Sequence, residues 1–162
     1  MNDNDIQIKR LDSLTDADHC AEMMAGSEPW ITLQRGKQKS LEIINDPSKK
    51  VYIAWLQDEI VGFIIIEMKG TFKGYIKSIC VSPSHRNKGS GSTLMSYAED
   101  RILSETPNVF LLVSSFNTGA IRFYQRLGYE QIGELKDFII EGYSEILMRK
   151  TTGPLSYLDR DP

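Results

Sequence analysis

Between an apolar run ending at Val81 and a helical pattern starting near Gly89 lie Ser82, Pro83, Ser84, His85, Arg86, Asn87, Lys88, Gly89, Ser90, Gly91 and Ser92. Strand, proline, polar loop, glycines, helix is the layout of an anion cradle. Glycines let a backbone approach its ligand closely, and the unpaired N–H groups and dipole of a helix start favour negative charge. A flexible Gly/Ser surface loop is the competing reading of the same residues. The spacing is not the phosphate loop GxxxxGK[ST], because Lys88 precedes Gly89, and it is not the dinucleotide pattern GxGxxG. Charge supports a cradle. From Met68 to Ala98 the chain holds Lys69, Lys73, Lys77, Arg86 and Lys88 and no acid; from Thr106 to Tyr129 it holds Arg122 and Arg126 and no acid. These seven positive charges leave the remainder at −10, against a net charge of −3. Such runs also occur as plain solvated faces.

The elements that must position this loop follow from periodicity. Residues 6–9 alternate as a short strand, and 16–25 and 36–44 read as amphipathic helices around a loop at Glu28-Pro29-Trp30. Residues 51–57 and 60–68 are β-rich runs turned by Asp58-Glu59, the second apolar on both faces and so interior to a sheet. A strand over 74–81 ends at Ser82-Pro83, since proline has no amide hydrogen for the ladder. Leu94, Ala98 and Ile102 mark one stripe of a helix over 89–105, and 109–113 is a further buried strand. Asn117 and Gly128 suit the cap and the left-handed stop of a helix whose Ala120, Phe123, Tyr124 and Leu127 share a face. Strands over 129–137 and 143–149 close the pattern around Glu141-Gly142. The tally is a mixed α/β or α+β sheet in one domain, not a doubly wound Rossmann sheet.

Within that frame, Arg86-Asn87-Lys88-Gly89-Ser90-Gly91 resembles the acetyl-CoA motif [RQ]-x-x-G-x-[GA] of the GNAT-type N-acetyltransferase superfamily. Downstream, the run from Asn117 through Ala120, Phe123, Tyr124, Gly128 and Tyr129 to Glu130 resembles the family's N-x-x-A-x-x-F-Y-x-x-x-G-[FY]-x signature. The resemblance is close over residues 51–150; residues 1–50 match only in a two-helix layout. It implies an α/β (α+β), single-domain GNAT-like fold: a central mixed, mostly antiparallel sheet of about seven strands, splayed at the acetyl-CoA slot and flanked by about four helices. Residues 1–150 would form the N-acetyltransferase domain and 151–162 a C-terminal tail, expected to rest on its own domain or on a neighbouring chain.

The resemblance also assigns work. Backbone amides of Arg86, Asn87, Lys88, Gly89, Ser90, Gly91 and Ser92 would hold the pyrophosphate of acetyl-CoA, the cosubstrate, with Arg86 and Lys88 adding charge. Ile79, Cys80 and Val81 would offer strand-edge groups to the pantetheine arm, which then behaves as an added strand. Asn117 would touch the pantetheine, and Phe123 and Arg126 the adenosine end. Tyr124 is the implied acid, although its place on an apolar stripe equally suits a core tyrosine. A hydroxyl of pKa about 10 can resupply a proton to a departing thiolate whose thiol has pKa about 8.5. Many relatives carry a glutamate early on the first-motif strand; Gly74-Tyr75-Ile76-Lys77-Ser78 has none. Glu67 and Glu145 remain as carboxylates, or Tyr75 and Ser78 order a relaying water, and no base is assigned. Trp30, Tyr75, Ser78 and Tyr143 are the candidate acceptor contacts, each also readable as local packing.

The implied reaction is acetyl transfer from acetyl-CoA to a primary amine, a small molecule or a protein, by direct attack through a tetrahedral intermediate. The alternative is a non-catalytic acyl-CoA-binding or sensing module. At 162 residues the chain suits one domain with a full core. Its charge argues against whole-surface nucleic-acid binding and suits a cationic acceptor. The longest apolar run is too short to span a membrane, and the N-terminus lacks a signal peptide's pattern. Cys20 and Cys80 read as free thiols of a reducing cytoplasm, in a monomer or homodimer. With two histidines and no CxxC, no metal is expected.

Overall fold

A computed structural model describes residues 5–159. In chain order it contains β1 (Ile6–Arg10), α1 (Leu14–Ala25), α2 (Lys37–Ile44), β2 (Lys49–Leu56), β3 (Glu59–Glu67), β4 (Tyr75–Val81), α3 (Ser90–Leu103), β5 (Asn108–Ser114), α4 (Thr118–Arg126), β6 (Glu130–Lys136) and β7 (Ser144–Thr151), with short 3₁₀ turns at Pro83–His85 and Leu155–Asp159. The seven strands form one sheet ordered β1-β2-β3-β4-β5-β7-β6. Every neighbouring pair is antiparallel except β4 and β5. The expected single mixed sheet with four flanking helices is therefore present. Helix α1 starts two residues earlier than periodicity suggests, because Ser13 Oγ accepts from the Asp16 amide and caps it there.

Helices cover both faces, which is why β3 is apolar between its terminal glutamates, Glu59 and Glu67. One layer gathers Val61, Ile64 and Ile66 with Leu94, Ala98 and Ile102 of α3 and Tyr124 of α4. The other gathers Ile60, Phe63 and Ile65 with Cys20 and Met24 of α1 and Ile43 of α2. The buried thiols of Cys20 and Cys80 belong to this second layer, and burial pushes them up to about 12 and about 11, so both stay protonated packing groups.

Two local features shape the centre of the sheet. Strands β4 and β5 pair only at Tyr75 with Phe110 and Ile76 with Leu111, while β5 pairs along its whole length with β7. Beyond Ile76 the two strands separate, and the β4 edge facing β5 has no strand partner. The second feature is a bulge: β3 pairs Ile65 with Ser78 but Ile66 with Ile76, so Lys77 is an extra residue. In a regular strand Ile76 and Cys80 would share a face. Here Ile76 packs in the α3 layer and Cys80 in the α1 layer. Upstream of the bulge, Gly74 has φ +89° and lies so close to Asn108 that a Cβ would sit 2.4 Å from its carbonyl oxygen. Only glycine permits both.

The C-terminal segment is tied at its start, where the Thr152 amide and Thr151 Oγ1 donate to the Pro107 carbonyl at 2.9 and 3.2 Å. Further on, Leu155, Tyr157 and Leu158 are exposed.

Candidate active site

The parting of β4 from β5 opens a cavity of about 540 Å³. One wall is built by the loop after β4 and by the starts of α3 and α4. Asn87 and Gly89 both adopt left-handed backbone, φ 59° and φ 90°, which turns successive amides toward one side. Gly89 then stands at the N-cap of α3 with no side chain capping the amides that follow. The first α3 amide with an acceptor behind it is Thr93, which donates to the Gly89 carbonyl at 3.0 Å. There is no acid in the first turn, so the helix dipole faces the cavity uncompensated. Asn87, Gly89, Gly91 and Ser92 line the cavity. Lys88 and Ser90 do not: Lys88 is exposed, and Ser90 is buried beneath the helix.

Arg86 lines the cavity too, but its guanidinium is engaged with protein. Its Nε donates to the Val81 carbonyl at 3.2 Å and an Nη to Ser27 Oγ at 3.2 Å, tying the loop to the end of α1. Its side chain therefore braces the cradle instead of projecting as a free charge. Ile79 and Val81 line the cavity and pack toward the α3 layer; the Cys80 side chain turns away, with Sγ 3.8 Å from Ser27 Oγ.

From α4 come Asn117, Phe123, Tyr124 and Arg126, all lining the cavity. Asn117 Oδ1 accepts from the Ala120 amide at 3.3 Å, leaving its NH₂ group for a ligand. Tyr124 is 8% exposed, and its ring is backed by Tyr129 at 5.9 Å between centroids. Tyr129 is fixed in turn by its hydroxyl donating to Glu99, which also accepts from Lys150. Burial pushes the Tyr124 hydroxyl well above the usual tyrosine range, so it is a proton donor at any physiological pH.

The opposite wall carries side chains from distant parts of the chain. Because of the bulge, Tyr75, Lys77 and Ser78 line it from β4. Trp30 and Leu33 come from the loop after α1, Arg35 precedes α2, and Phe138 and Ile139 follow β6. Glu145 of β7 lies opposite Ser114 in the register, is 4% exposed, and accepts from Ser114 Oγ at 2.7 Å. Burial raises its pKa, while the Ser114 hydrogen bond and nearby Arg35 pull it partly back. Burial also holds Lys77 below the usual lysine range, opposed chiefly by Glu67, and holds Tyr75 above the tyrosine range.

Of the two carboxylates open in the sequence, only Glu145 reaches the cavity; Glu67 pairs with Lys49 at 3.2 Å. Tyr143, expected near the acceptor entrance, is not a lining residue. Placed just before β7, its ring meets Phe116 edge-on at 4.9 Å and is 41% exposed. Arg35 and Lys77 join the opposite wall as charges that sequence spacing alone does not place there. The available signal was Lys77 standing as a charge inside the strand sequence YIKSICV. Among the described residues no group of three or more His, Cys, Asp or Glu is placed to hold a metal, and no helix is long and apolar enough to cross a membrane.

Residues 12–129 match the profile of the Acetyltransferase (GNAT) family. An N-alpha-acetyltransferase of Sulfurisphaera tokodaii is 26% identical over 122 residues, covering 67% of this chain and 72% of its own. An aminoglycoside 6'-N-acetyltransferase solved with coenzyme A superposes with a TM-score of 0.73 at 21% identity, covering 91% of this chain and 98% of its own. The ribosomal-protein-S18-alanine N-acetyltransferase of Escherichia coli gives 0.71 at 18% identity, covering 93% and 96%.

Proposed function

The chain belongs to the acetyltransferase (GNAT) family and is an acetyl-CoA-dependent acetyltransferase; from that premise we propose that its acceptor is a primary amine attacking the thioester directly, with Tyr124 as acid and Glu145 as base. The observation that carries this reading is the pairing across one cavity of a protonated, backed hydroxyl, Tyr124, with a buried carboxylate of raised pKa, Glu145.

The residues on the cofactor side fit coenzyme A. Left-handed Asn87 and Gly89, the uncapped amides ahead of Thr93 and the absence of acid suit a pyrophosphate. The unpaired edge of β4 suits the amides of a pantetheine arm. On the acceptor side, an amine arrives as ammonium and must lose a proton before it can attack. Glu145 would take that proton, which then passes to solvent, its raised pKa bringing it nearer the working pH. As the C–N bond forms, negative charge grows on the carbonyl oxygen, where a β4 amide would donate to it. When the C–S bond breaks, the electron pair leaves with sulfur. Tyr124 would donate a hydrogen bond to that thiolate and pass on its proton only as the hydroxyl oxygen takes the second proton from the attacking nitrogen, so that no buried tyrosinate forms. Overall one proton moves from nitrogen to sulfur.

A thiol-release assay with acetyl-CoA and a panel of primary amines tests the proposal. Thiol released only in the presence of an amine is the expected result. Acetyl-CoA binding by calorimetry without release for any amine would instead support a binding or sensing module.

A further inference from the structure

The acceptor half of the cavity carries two cations with no ion-pair partner among the described residues. Lys37, Lys39, Lys49, Lys73, Arg101 and Lys150 each reach a carboxylate. Arg35 and Lys77 do not. Other described cations reach none either, but apart from Lys50 they are exposed; Arg35 and Lys77 are partly buried and face the cavity. The carboxylates near enough to serve are committed elsewhere. Glu28 lines the same wall, but its two oxygens accept from the Thr32 amide and Oγ1 at 3.1 and 3.0 Å. Glu67, whose charge reaches Lys77, is bound by Lys49, and Arg35, Lys49 and Lys39 all add positive potential at Lys77. Glu145 feels Arg35 but is hydrogen-bonded to Ser114.

Both cations are also delivered by fixed backbone. Arg35 follows left-handed Gln34, φ 56°, and its amide donates to the Trp30 carbonyl at 2.9 Å. Lys77 is the extra residue of the β4 bulge. A half-buried cation without a partner is costly, and an anionic ligand removes that cost by supplying charge-assisted hydrogen bonds. The acids expected to attract a cationic acceptor lie elsewhere: Asp18 and Glu22 with Lys37, Asp46 with Lys49, Glu105 with Arg101 and Lys73.

We infer that the acceptor is an amine that itself carries an anionic group, a carboxylate or a phosphate, with Arg35 and Lys77 holding the anion and Glu145 facing the amine. The inference rests on the acetyl-transfer reading and names the substrate class for that site.

Two matched acceptor pairs in the thiol-release assay test it: an α-amino acid against its carboxamide, and 2-aminoethyl phosphate against 2-aminoethanol. The anionic member of at least one pair is expected to be preferred by about tenfold or more in kcat/KM, the size of one charged hydrogen bond. The pair that shows the preference identifies carboxylate or phosphate. Arg35→Gln and Lys77→Gln, checked for folding by melting and for acetyl-CoA binding by calorimetry, should bring that ratio toward one by raising KM for the anionic acceptor much more than they lower its kcat. Preference for the uncharged member of both pairs, or a ratio unchanged in both variants, would overturn the inference while thiol release leaves the acetyl-transfer reading standing. If no amine releases thiol, the acetyl-transfer reading falls, and calorimetric titration of the amino acid and the aminoethyl phosphate into the protein–coenzyme A complex still decides. Heat lost in Arg35→Gln supports an anion site, and no heat with either probe overturns it.

Discussion

The two walls of the cavity are made from different materials. The wall proposed for the cofactor is led by backbone: left-handed Asn87 and Gly89, the open amides of α3 and the unpaired edge of β4, with Arg86 spent on bracing them and the side chains of Ile79, Val81, Asn117 and Phe123 around them. The acceptor-side wall is side chains, with Arg35, Lys77 and Glu145 brought from three separate elements. On the proposed reading, a wall of backbone would recognise what every coenzyme A shares, and a wall of side chains would recognise one acceptor among many. Substitutions should therefore act differently on the two sides: on the acceptor side they change rate and selectivity, and on the cofactor side they act through backbone conformation.

The sharpest way to break this contrast is Glu145→Gln. It keeps the shape beside Ser114 but removes the base, and kcat/KM should fall by about 10²–10⁴ in the thiol-release assay while acetyl-CoA binding by calorimetry is retained. Because burial raises the Glu145 pKa, the protonated form persists to higher pH than in an exposed glutamate. The rate should therefore rise with pH on a limb whose midpoint lies above the usual carboxylate range, and that limb should vanish in Glu145→Gln. The same shift implies that ionising Glu145 disfavours the folded state. Relative to the variant, the parent's melting temperature should decline as pH climbs through the raised pKa.

Tyr124→Phe should have a smaller effect, about tenfold in kcat, because a thiol of pKa about 8.5 is already a competent leaving group. An unchanged rate would remove Tyr124 from the mechanism. On the other wall, Gly89→Ala puts a Cβ into left-handed backbone with φ 90° and should cost about 1–2 kcal/mol, seen as weaker acetyl-CoA binding or a lower melting temperature. Gly91→Ala is the contrast: its Cβ would meet Phe123 at 3.4 Å, an ordinary contact, and binding should survive. Asn117→Ala should be mildest for the fold, losing the α4 cap for about 1 kcal/mol, or about 2–4 °C in melting temperature.

The same division explains what could be read in advance. Strand ends, caps and the Gly89-x-Gly91 loop are local, so residues 79–92 and 117–130 announce their structure from neighbouring residues alone. The acceptor wall depends on register. Glu145 becomes a site residue only because β7 inserts between β5 and β6 and sets it opposite Ser114. Tyr143, two residues earlier, falls outside because it precedes the strand and turns to Phe116. Lys77 faces the cavity beside Ser78 because of a bulge that no residue type in YIKSICV encodes.

That bulge resets the parity of β4. Ahead of it the odd-numbered position, Tyr75, faces the proposed acceptor side; after it Ser78 does, while Cys80 turns to Ser27, leaving Ile79 and Val81 to the proposed cofactor side. One strand thus serves two clients through two sets of side chains that do not overlap. On the proposed reading, changes of acceptor can be explored at 75, 77 and 78 while the contacts proposed for coenzyme A at 79 and 81 are left in place. Deleting the single residue Lys77 would set Ile76 and Ser78 side by side opposite Ile66 and Ile65 in a regular pleat, so both sets would keep their faces and only the Lys77 cation would be lost.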